Sequence, residues 1–491
     1  MKKPNVIYIL ADDMGYGDIS RNNERCPFRT IHLDRMCDAG MRFTDAHASS
    51  AVCTPSRYSI LTGRYNWRST LKSSVIGGYS SPLIGERRKT VADMLKTQGY
   101  RTAAIGKWHL GMEFSKTPDF RERPDFDACD GIDYTGRIFR DPTDNGFDYF
   151  YGISASLDMP PYVYIENDRF IACPDHMTKG TGKGYWREGP TAKGFIHEEV
   201  LDHLTDMTLR QIDRWAAEGD EPFFLYFPMP APHTPILPAK EFQGKSGTNT
   251  YGDFVLHCDA VVGRVNAKLR ELGLYEETIV IYTSDNGCSP MADYRELEAK
   301  GHNPSYHFRG TKADIFEGGH RIPLIVQWPR KIQGGAVCDR LVCLSDFLAT
   351  MSDLLGAPLP NDMGEDSVSN LPLWLDAEHA EVREDLVHQS IDGSLSLRRG
   401  RWKLEMCPGS GGWSFPRPGV DDTSSLPAFQ LYDLSDDIGE TTNVIAGHPD
   451  VYEELKKRLA EHIRNGRSTP GSPQQNEGVQ IWDTVRWLEA E

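Results

Sequence analysis

A cysteine and an arginine, four residues apart, open a helix-like segment near the N-terminus. Residues 53–57 read CTPSR, and the segment continues to Gly63. A nucleophile at the N-terminus of a helix lies where unpaired backbone N–H groups and the helix dipole favour negative charge. Arg57 would lie on the same helix face as Cys53, one turn later. The pattern predicts a site where negative charge forms at Cys53; a buried structural cysteine before a turn is the alternative.

Two pairs of oxygen-bearing side chains stand at the ends of apolar runs. Asp12 and Asp13 follow the first run of the chain, and Asp285 and Asn286 follow a run in its second half. Carboxylate and amide oxygens suit calcium or magnesium rather than zinc. The same residue types also cap loops and turns. The two pairs together predict a site for a hard divalent cation.

Three more segments carry side chains that could bind an anion or move a proton. Lys107 and His109 lie two residues apart, so in an extended chain they point the same way. His233 stands between prolines in the stiff loop PAPHTP, and Lys312 precedes the sequence EGG. Taken singly, each would be an exposed lysine or a structural histidine. Because Lys107, His109 and His233 all follow predicted strands, we expect them in one site.

Apolar runs of strand length alternate with amphipathic helical patterns along most of the chain. Such alternation predicts a mostly parallel sheet with helices on both faces, and these sheets bind ligands beyond the carboxyl ends of their strands. The predicted strands are residues 6–10, 101–105, 222–227, 278–283 and 323–327. The predicted helices are residues 91–98, 198–217, 254–272 and 346–355. The residues above should therefore converge on one rim of the sheet.

The C-terminal part of the chain has a different character. After a polar, linker-like stretch, its pattern predicts two short strands within residues 393–405, a strand at 430–434 and a helix at 449–465. We place the domain boundary near residue 384, which gives one domain of residues 1–384 and another of residues 385–491. The loop of residues 406–426 contains Trp413 and Phe415, and it either reaches toward the site or lies in solvent.

The composition is that of a large globular protein, with 39% hydrophobic and 25% charged residues among 491. The net charge of −17 would repel nucleic acids and acidic membranes, so we expect neither as a partner. The ten cysteines contain no C-x-x-C pair, which argues against a zinc site and a dense disulfide framework. No run has the length of a transmembrane helix or the pattern of a signal peptide. We expect a cytoplasmic location if Met1 is the natural start, and a periplasmic or secreted one if a signal peptide has been removed.

These segments together resemble the type I sulfatases, formylglycine-dependent enzymes of the alkaline phosphatase superfamily that include arylsulfatases and N-acetylgalactosamine-6-sulfatases. The shared motifs are C-x-P-S-R with T-G-R at residues 53–64, G-K-W-H-L-G at 106–111 and P-H-x-P at 232–235. Lys312 also matches, although Ala313 replaces the glycine that usually follows it. The resemblance covers nearly the whole chain. It implies an alkaline phosphatase-like α/β fold: a large, mostly parallel sheet between helices, with a smaller C-terminal subdomain of antiparallel sheet and helix.

The resemblance also implies the nucleophile and the cation. A maturation enzyme, which is the expected protein partner, oxidises Cys53 to formylglycine, and one hydroxyl of the hydrated aldehyde attacks the sulfur of a sulfate ester. The cation is calcium, with magnesium as the alternative. Its implied ligands are Asp12, Asp13, Asp285, Asn286 and the modified Cys53.

Charge stabilisation and proton transfer are implied for five further residues. The positive charges that stabilise the sulfate oxygens are those of Arg57, Lys107 and Lys312. His109 removes a proton from the hydrate, which expels sulfate and regenerates the aldehyde. His233 or Lys312 protonates the departing alcohol.

The expected substrate is a small sulfated sugar. Ser156 is a candidate sulfate contact, with Ser154 as the competing residue. Five residues close to Lys312 in sequence are predicted to bind substrate: His302, His307, Arg309, His320 and Arg321. A further group in the insertion after Ser156 could line the pocket: Tyr162, Tyr164, Asp175 and His176. We favour exo-acting hydrolysis of sulfated amino sugar or galactose units in glycosaminoglycan or mucin fragments, with 6-O-sulfated N-acetylgalactosamine as the first choice.

Two other functions remain alternatives. A phosphodiesterase or phosphonate monoester hydrolase of the same superfamily would share the cation site. A protein that binds sulfated glycans and is never matured would bind such sugars without turnover, although it would have no need of the acid–base histidines.

Overall fold

The computed structural model describes residues 2–122 and 129–490 of the chain. Its strands are β1 Asn5–Ala11, β2 Met41–Phe43, β3 Ala46–His47, β4 Arg101–Lys107, β5 Glu113–Phe114, β6 Lys116–Glu122, β7 Cys129–Ile132, β8 Ile138–Phe139, β9 Tyr149–Ile153, β10 Ile165–Glu166, β11 Arg169–Phe170, β12 Pro174–Thr178, β13 Gly189–Ala192, β14 Phe223–Pro228, β15 Thr278–Ser284, β16 Leu324–Gln327, β17 Ala336–Cys338, β18 Val342–Cys343, β19 Asp385–Gln389, β20 Leu395–Arg399, β21 Trp402–Glu405 and β22 Gln430–Asp433. Its α-helices are α1 Ile31–Ala39, α2 Cys53–Thr62, α3 Val91–Thr97, α4 Val200–Glu218, α5 Thr250–Glu271, α6 Tyr294–Ala299, α7 Glu317–His320, α8 Phe347–Leu355, α9 Leu371–Leu375 and α10 Pro449–Asn465. In the described ranges, no helix combines the length and the apolar character that crossing a bilayer requires.

Ten strands form the central sheet, in the order β11-β10-β9-β4-β14-β1-β15-β16-β2-β17. The five strands from β9 to β15 in this order all run parallel. Antiparallel pairs flank them on both sides. The mostly parallel sheet is therefore confirmed. The five predicted strands are all present, with ends shifted by at most two residues, and the four predicted helices have ends within four residues of those expected.

Alternate residues of β1 enter two separate hydrophobic cores. Val6 and Leu10 pack on one face with residues of α2, α3 and α8. Ile7 and Ile9 pack on the other face with residues of α1, α4 and α5. Because successive side chains of a strand point to opposite faces, a strand covered on both sides must be apolar throughout. This burial holds the C-terminal end of β1 in a fixed position.

Helix α2 begins at Cys53 and is buried along its whole length. The preceding Val52 is extended (φ −143°), so Cys53 is the first residue in the helix. Pro55 is tolerated because it lies in the first turn, where its missing N–H leaves no bond unmade. Gly63 ends the helix in the left-handed conformation (φ 63°), as predicted, and its N–H caps the Ser59 carbonyl.

Strands β19 to β22 form a separate four-stranded antiparallel sheet near the C-terminus. Helix α10 packs into its core through Leu455, Leu459 and Ile463, which are spaced one helical turn apart. The same core contains Tyr65 and Trp67 from the segment after α2. The expected antiparallel sheet and helix are confirmed, while the boundary near residue 384 stays a prediction.

Three histidines from distant parts of the chain meet in a buried polar cluster. Nδ1 of His47 lies 2.9 Å from Nδ1 of His320, and the rings of His320 and His388 stack with centroids 3.7 Å apart. The ammonium of Lys403 lies against this cluster and pairs with Glu317 at 3.2 Å. Burial lowers the pKa of all three imidazoles. They are therefore neutral at pH 7.

Candidate active site and metal centre

Two acidic loops meet at the carboxyl ends of β1 and β15. These strands pair in parallel, with Ala11 opposite Ser284, so the residues after them become neighbours. The Asp13 N–H donates to Oδ1 of Asp285 at 3.2 Å. The side-chain amide of Asn286 donates to Oδ1 of Asp13 at 2.8 Å. The sheet thus brings the two predicted ligand pairs together.

Two oxygens in this cluster have no hydrogen-bond partner among the described residues: Oδ1 of Asp12 and Oδ1 of Asn286. Both side chains are fully buried, and an unsatisfied buried acceptor is costly. Asp12, Cys53 and Asp285 also each offer a ligand atom within 4.8 Å of the others. Buried oxygens that lack a donor suit a hard cation such as Ca²⁺ or Mg²⁺. The residues therefore fit the metal ion that the sequence motifs imply.

Three basic side chains balance the three carboxylates. Arg57 donates from Nε and Nη2 to Oδ2 of Asp285, at 3.0 and 2.7 Å. Nζ of Lys107 lies 2.7 Å from Oδ2 of Asp12. Nζ of Lys312 lies 2.8 Å from Oδ2 of Asp13. Each of the six side chains is at least nine-tenths buried, so each charge depends on its partner.

Two carboxylates of this cluster, those of Asp12 and Asp285, have pKa values shifted in opposite directions. Burial opposes ionisation of Asp12, but the ammonium of Lys107 holds the pKa of that carboxyl well below its usual range. Burial, and then the charge of Asp12, raise the pKa of Asp285 to about 6. At neutral pH both are therefore available as anionic cation ligands. Lys312 stays protonated because, against the effect of burial, Asp13 raises its pKa.

Cys53 lies at the floor of this cluster and is 2% exposed. Burial raises the pKa of its thiol, and Lys107 and Lys312 offset only part of that effect. An unmodified Cys53 is therefore a neutral thiol at pH 7, despite its position at the start of α2. Since the thiolate is the reactive form of cysteine, the site does not favour thiol chemistry.

His109 adopts the left-handed backbone conformation (φ 57°), so the expected extended geometry is wrong at this residue. Its Nε2 lies 2.7 Å from the Ile76 carbonyl and must donate, which leaves the lone pair on Nδ1. Nδ1 is buried and has no partner among the described residues. Burial, reinforced by Lys107, lowers the pKa of His109 well below its usual range. His109 is thus a neutral imidazole with a free acceptor nitrogen.

The Nδ1 nitrogen of His233 is protonated and bonded to its own chain. Nδ1 lies 2.5 Å from the Thr234 carbonyl, so this nitrogen is the donor. Nε2 then faces Oδ2 of Asp13 at 3.6 Å. The side chain is 10% exposed, which leaves it in contact with the cavity above Cys53.

A cavity of about 340 Å³ opens above Cys53, and Lys312, His233 and Ser156 also line it. Oγ of Ser156 is buried and without a partner among the described residues. The competing Ser154 has the same unpartnered hydroxyl but is not part of this lining. Of the two serines, the geometry favours Ser156 as the contact to a ligand in the cavity.

The structure places the five predicted substrate-binding residues elsewhere. None of them lines the cavity above Cys53: His302, His307, Arg309, His320 and Arg321. His302 is fully buried with Nε2 at 2.7 Å from Asp18, and His307 lies at a surface depression with Glu24. Proximity to Lys312 in sequence therefore does not place these two histidines at the cavity.

The other three of these residues have protein partners instead. Arg309 donates to the Glu440 carbonyl at 2.6 Å. His320 belongs to the three-histidine cluster, and Arg321 pairs with Glu317 at 3.0 Å. Of these partners, Glu317 lies in α7 and Glu440 follows β22, while those of His320 lie in β3, β19 and β21: His47, His388 and Lys403. We therefore withdraw all five from the substrate-binding set.

The cavity is also lined by residues that the sequence pattern did not single out, among them Asp158, Tyr185, Arg187 and Met291. Trp413 joins them, so the loop of residues 406–426 does reach the site. The Trp413 N–H donates to Oδ1 of Asp314 at 2.7 Å, which fixes the loop there, while Phe415 is 73% exposed. The only feature of the sequence that pointed to this side of the cavity was the aromatic content of that loop.

Residues 4–357 match the family model described as Sulfatase, which is well over half of the chain. The chain belongs to the sulfatase family. An N-acetylgalactosamine-6-O-sulfatase from Bacteroides thetaiotaomicron is 33% identical to this sulfatase, over 93% of each chain. Human arylsulfatase A is 30% identical, over 93% of this chain and 87% of its own.

A solved structure from work on the metabolism of multiple glycosaminoglycans by Bacteroides thetaiotaomicron superposes with a TM-score of 0.79 at 32% identity. It covers 94% of this chain and 99% of its own. The sulfatase described here is therefore a sulfuric ester hydrolase with an alkaline phosphatase-like fold. This match confirms the resemblance drawn from the motifs. Sulfatases generally use a metal ion and a formylglycine residue.

Proposed function

We propose that this sulfatase removes sulfate from the terminal sugar of glycosaminoglycan or mucin fragments, with 6-O-sulfated N-acetylgalactosamine as the first candidate. The observation that carries the proposal is the cavity of about 340 Å³ above Cys53. Ligand pockets span roughly 300–1,000 Å³, so this one suits a single sugar better than an extended chain. The similarity to an N-acetylgalactosamine-6-O-sulfatase supports the choice of sugar.

In this proposal Cys53 is the residue converted to formylglycine by a maturation enzyme. The modified residue supplies the nucleophile that an unmodified, neutral thiol does not. Asp12, Asp13, Asp285 and Asn286 hold the cation, which we take to be calcium, with magnesium as the alternative. When bound, the cation polarises the ester and favours the ionised nucleophile.

Arg57, Lys107 and Lys312 hold fixed positive charge around the reaction centre. Each is already bonded to a carboxylate in the cluster, so no reorganisation is needed when charge develops on the sulfate. Preorganised charge of this kind is commonly the largest catalytic contribution. Removal of one such group lowers the rate by roughly 10²–10³.

The two histidines are set for opposite proton transfers. Nδ1 of His109 carries a lone pair without a partner among the described residues, so His109 accepts a proton near the nucleophile. His233 lines the cavity, and with Nδ1–H bonded to the Thr234 carbonyl it can donate from Nε2 only as the imidazolium; in that form His233, or Lys312 beside it, donates a proton to the departing alcohol. Ser156 contributes a hydroxyl to the sulfate.

The test is sulfate release from a panel of defined sulfated sugars. The protein is expressed with a maturation enzyme, and formylglycine at position 53 is verified by peptide mass spectrometry. We expect release from N-acetylgalactosamine 6-sulfate as a monosaccharide and at a non-reducing end, and none from the Cys53→Ala variant. Turnover of aryl sulfates alone would refute the sugar assignment, and preferential turnover of phosphate or phosphonate esters would refute the reaction.

A further inference from the structure

We propose that Asp158 and Arg187 form a recognition pair for two neighbouring free hydroxyl groups of the sugar, those on C3 and C4 when the sulfate is on C6. Both side chains line the cavity that contains Cys53, and neither belongs to the metal cluster. The inference rests on the proposed function, since it assigns the part of the sugar that the catalytic residues do not contact.

The carboxylate of Asp158 is only half satisfied by the protein. Oδ2 accepts from Nη1 of Arg187 at 2.5 Å. Oδ1 is buried and has no hydrogen-bond partner among the described residues. The nearest imidazole, His233, lies 4.0 Å away, and its Nδ1 is already bonded to the Thr234 carbonyl. Oδ1 of Asp158 is therefore a buried acceptor at the cavity wall that a hydrogen-bond donor of a ligand would satisfy.

The pair is rigidly built. Asp158 and Arg187 lie in different loops, yet the Arg187 N–H donates to the Asp158 carbonyl at 3.0 Å. The hydroxyl of Tyr162 lies 3.1 Å from the Asp158 carbonyl and 2.6 Å from the Arg187 carbonyl. Because these backbone contacts hold the two side chains before binding, recognition does not require their ordering.

The chemistry of the pair suits neighbouring sugar hydroxyls. A hydroxyl both donates and accepts, so it can donate to the carboxylate of Asp158 while a neighbour accepts from the guanidinium of Arg187. Asp158 would repel a sulfate, which therefore goes to the basic end at Lys312. Tyr185 and Trp413, 42% and 44% exposed, offer aromatic faces to the ring between these ends. Hydroxyls held in this way must be unsubstituted, which accounts for action on terminal sugars.

The test compares Asp158→Asn with wild type on N-acetylgalactosamine 6-sulfate and on its 4-deoxy and 3-deoxy analogues. Hydrogen bonds to a charged group are worth about a 10- to 100-fold change in kcat/KM. We expect a loss of this size for the variant on the parent sugar, and for wild type on one deoxy analogue. For Asp158→Asn, kcat/KM should be about the same for that analogue as for the parent sugar. Glu188→Gln, at the adjacent exposed residue, is the matched control and should match wild type.

Two results would overturn the pair. One is that the wild-type enzyme hydrolyses both deoxy analogues as fast as N-acetylgalactosamine 6-sulfate. The other is a loss in Asp158→Asn that is as large on 4-methylumbelliferyl sulfate as on the sugar, because Asp158 would then act through His233. Arg187→Met, checked for unchanged thermal unfolding, provides a second variant with the same expectation. Failure of the proposed function is distinct, since wild type itself would then release no sulfate from any sugar.

Discussion

Replacement of Lys107 by methionine tests the charge balance on which the site depends. Lys107 and Asp12 form an ion pair at 2.7 Å, and both side chains are 0% exposed. Loss of one partner from a buried pair typically costs about 3–5 kcal/mol, because the other charge stays buried without compensation. Nη2 of Arg57 still lies 3.4 Å from Asp12, so we expect the lower end, about 3 kcal/mol.

The assay is urea unfolding in the presence of a chelator, so that bound cation does not contribute. Lys89→Met is the matched control, since Lys89 pairs with Asp93 at 3.3 Å but is 61% exposed. Exposed helical pairs contribute about 0.3–0.5 kcal/mol. The double variant Lys107→Met with Asp12→Asn should regain much of the lost stability, because it removes both charges. If Lys107→Met and Lys89→Met unfold alike, the charge-balance reasoning is wrong.

Four further outcomes follow from the same structure. Lys107→Met should also lower kcat/KM by roughly 10²–10³, and full turnover would refute its role beside the sulfate. Chelation should abolish sulfate release and lower the unfolding temperature, and calcium should restore both; activity that survives exhaustive chelation would contradict the cation site. Trp413→Ala should reduce kcat/KM for sugar sulfates more than for a small aryl sulfate, and equal losses would show that it only supports the loop. The cluster of His47, His320 and His388 should make stability depend on pH. Burial lowers their folded-state pKa values, so the unfolded chain takes up more protons below its pKa of about 6.5. Stability is then complete above about pH 6.5 and falls below it, by up to about 1.4 kcal/mol per pH unit for each histidine; urea unfolding between pH 7.5 and 5 measures this, and a flat profile would contradict it.

The sequence allowed the central sheet and the reaction centre to be predicted because both follow from local patterns. Apolar runs such as β1 are bounded sharply by charged residues, and parallel pairing places the residues after β1 and β15 side by side. Asp12 and Asp285, 273 positions apart, therefore become neighbours without any long-range information beyond strand direction.

The substrate-facing residues could not be predicted in this way. Asp158 and Arg187 lie in irregular loops that carry no periodicity, and their contact depends on backbone hydrogen bonds that no motif encodes. The opposite error arose at His320 and Arg321, which are near Lys312 in sequence. The short helix α7 ends at His320, whose Nε2 lies 3.1 Å from Nζ of Lys403 in the C-terminal sheet, and Arg321 pairs with Asp45 and Glu317. Nearness along the chain does not determine which side of a loop a residue faces.

The left-handed backbone at His109 is a third case. Residues other than glycine rarely adopt this conformation, and although histidine is enriched among those that do, the residue type alone did not predict it. The turn is held by backbone bonds from Trp108 and His109 to the carbonyls of Ile153 and Ser154. Tertiary contacts with the strand end of β9 therefore override the extended preference expected from the two-residue spacing.

Ile391 and Trp413, which line the cavity above Cys53, both come from the C-terminal part of the chain. They are translated more than three hundred residues after Cys53. In the complete chain Cys53 is 2% exposed. For the maturation proposed above, we therefore expect the maturation enzyme to reach Cys53 before the C-terminal part of the chain has packed over the cavity.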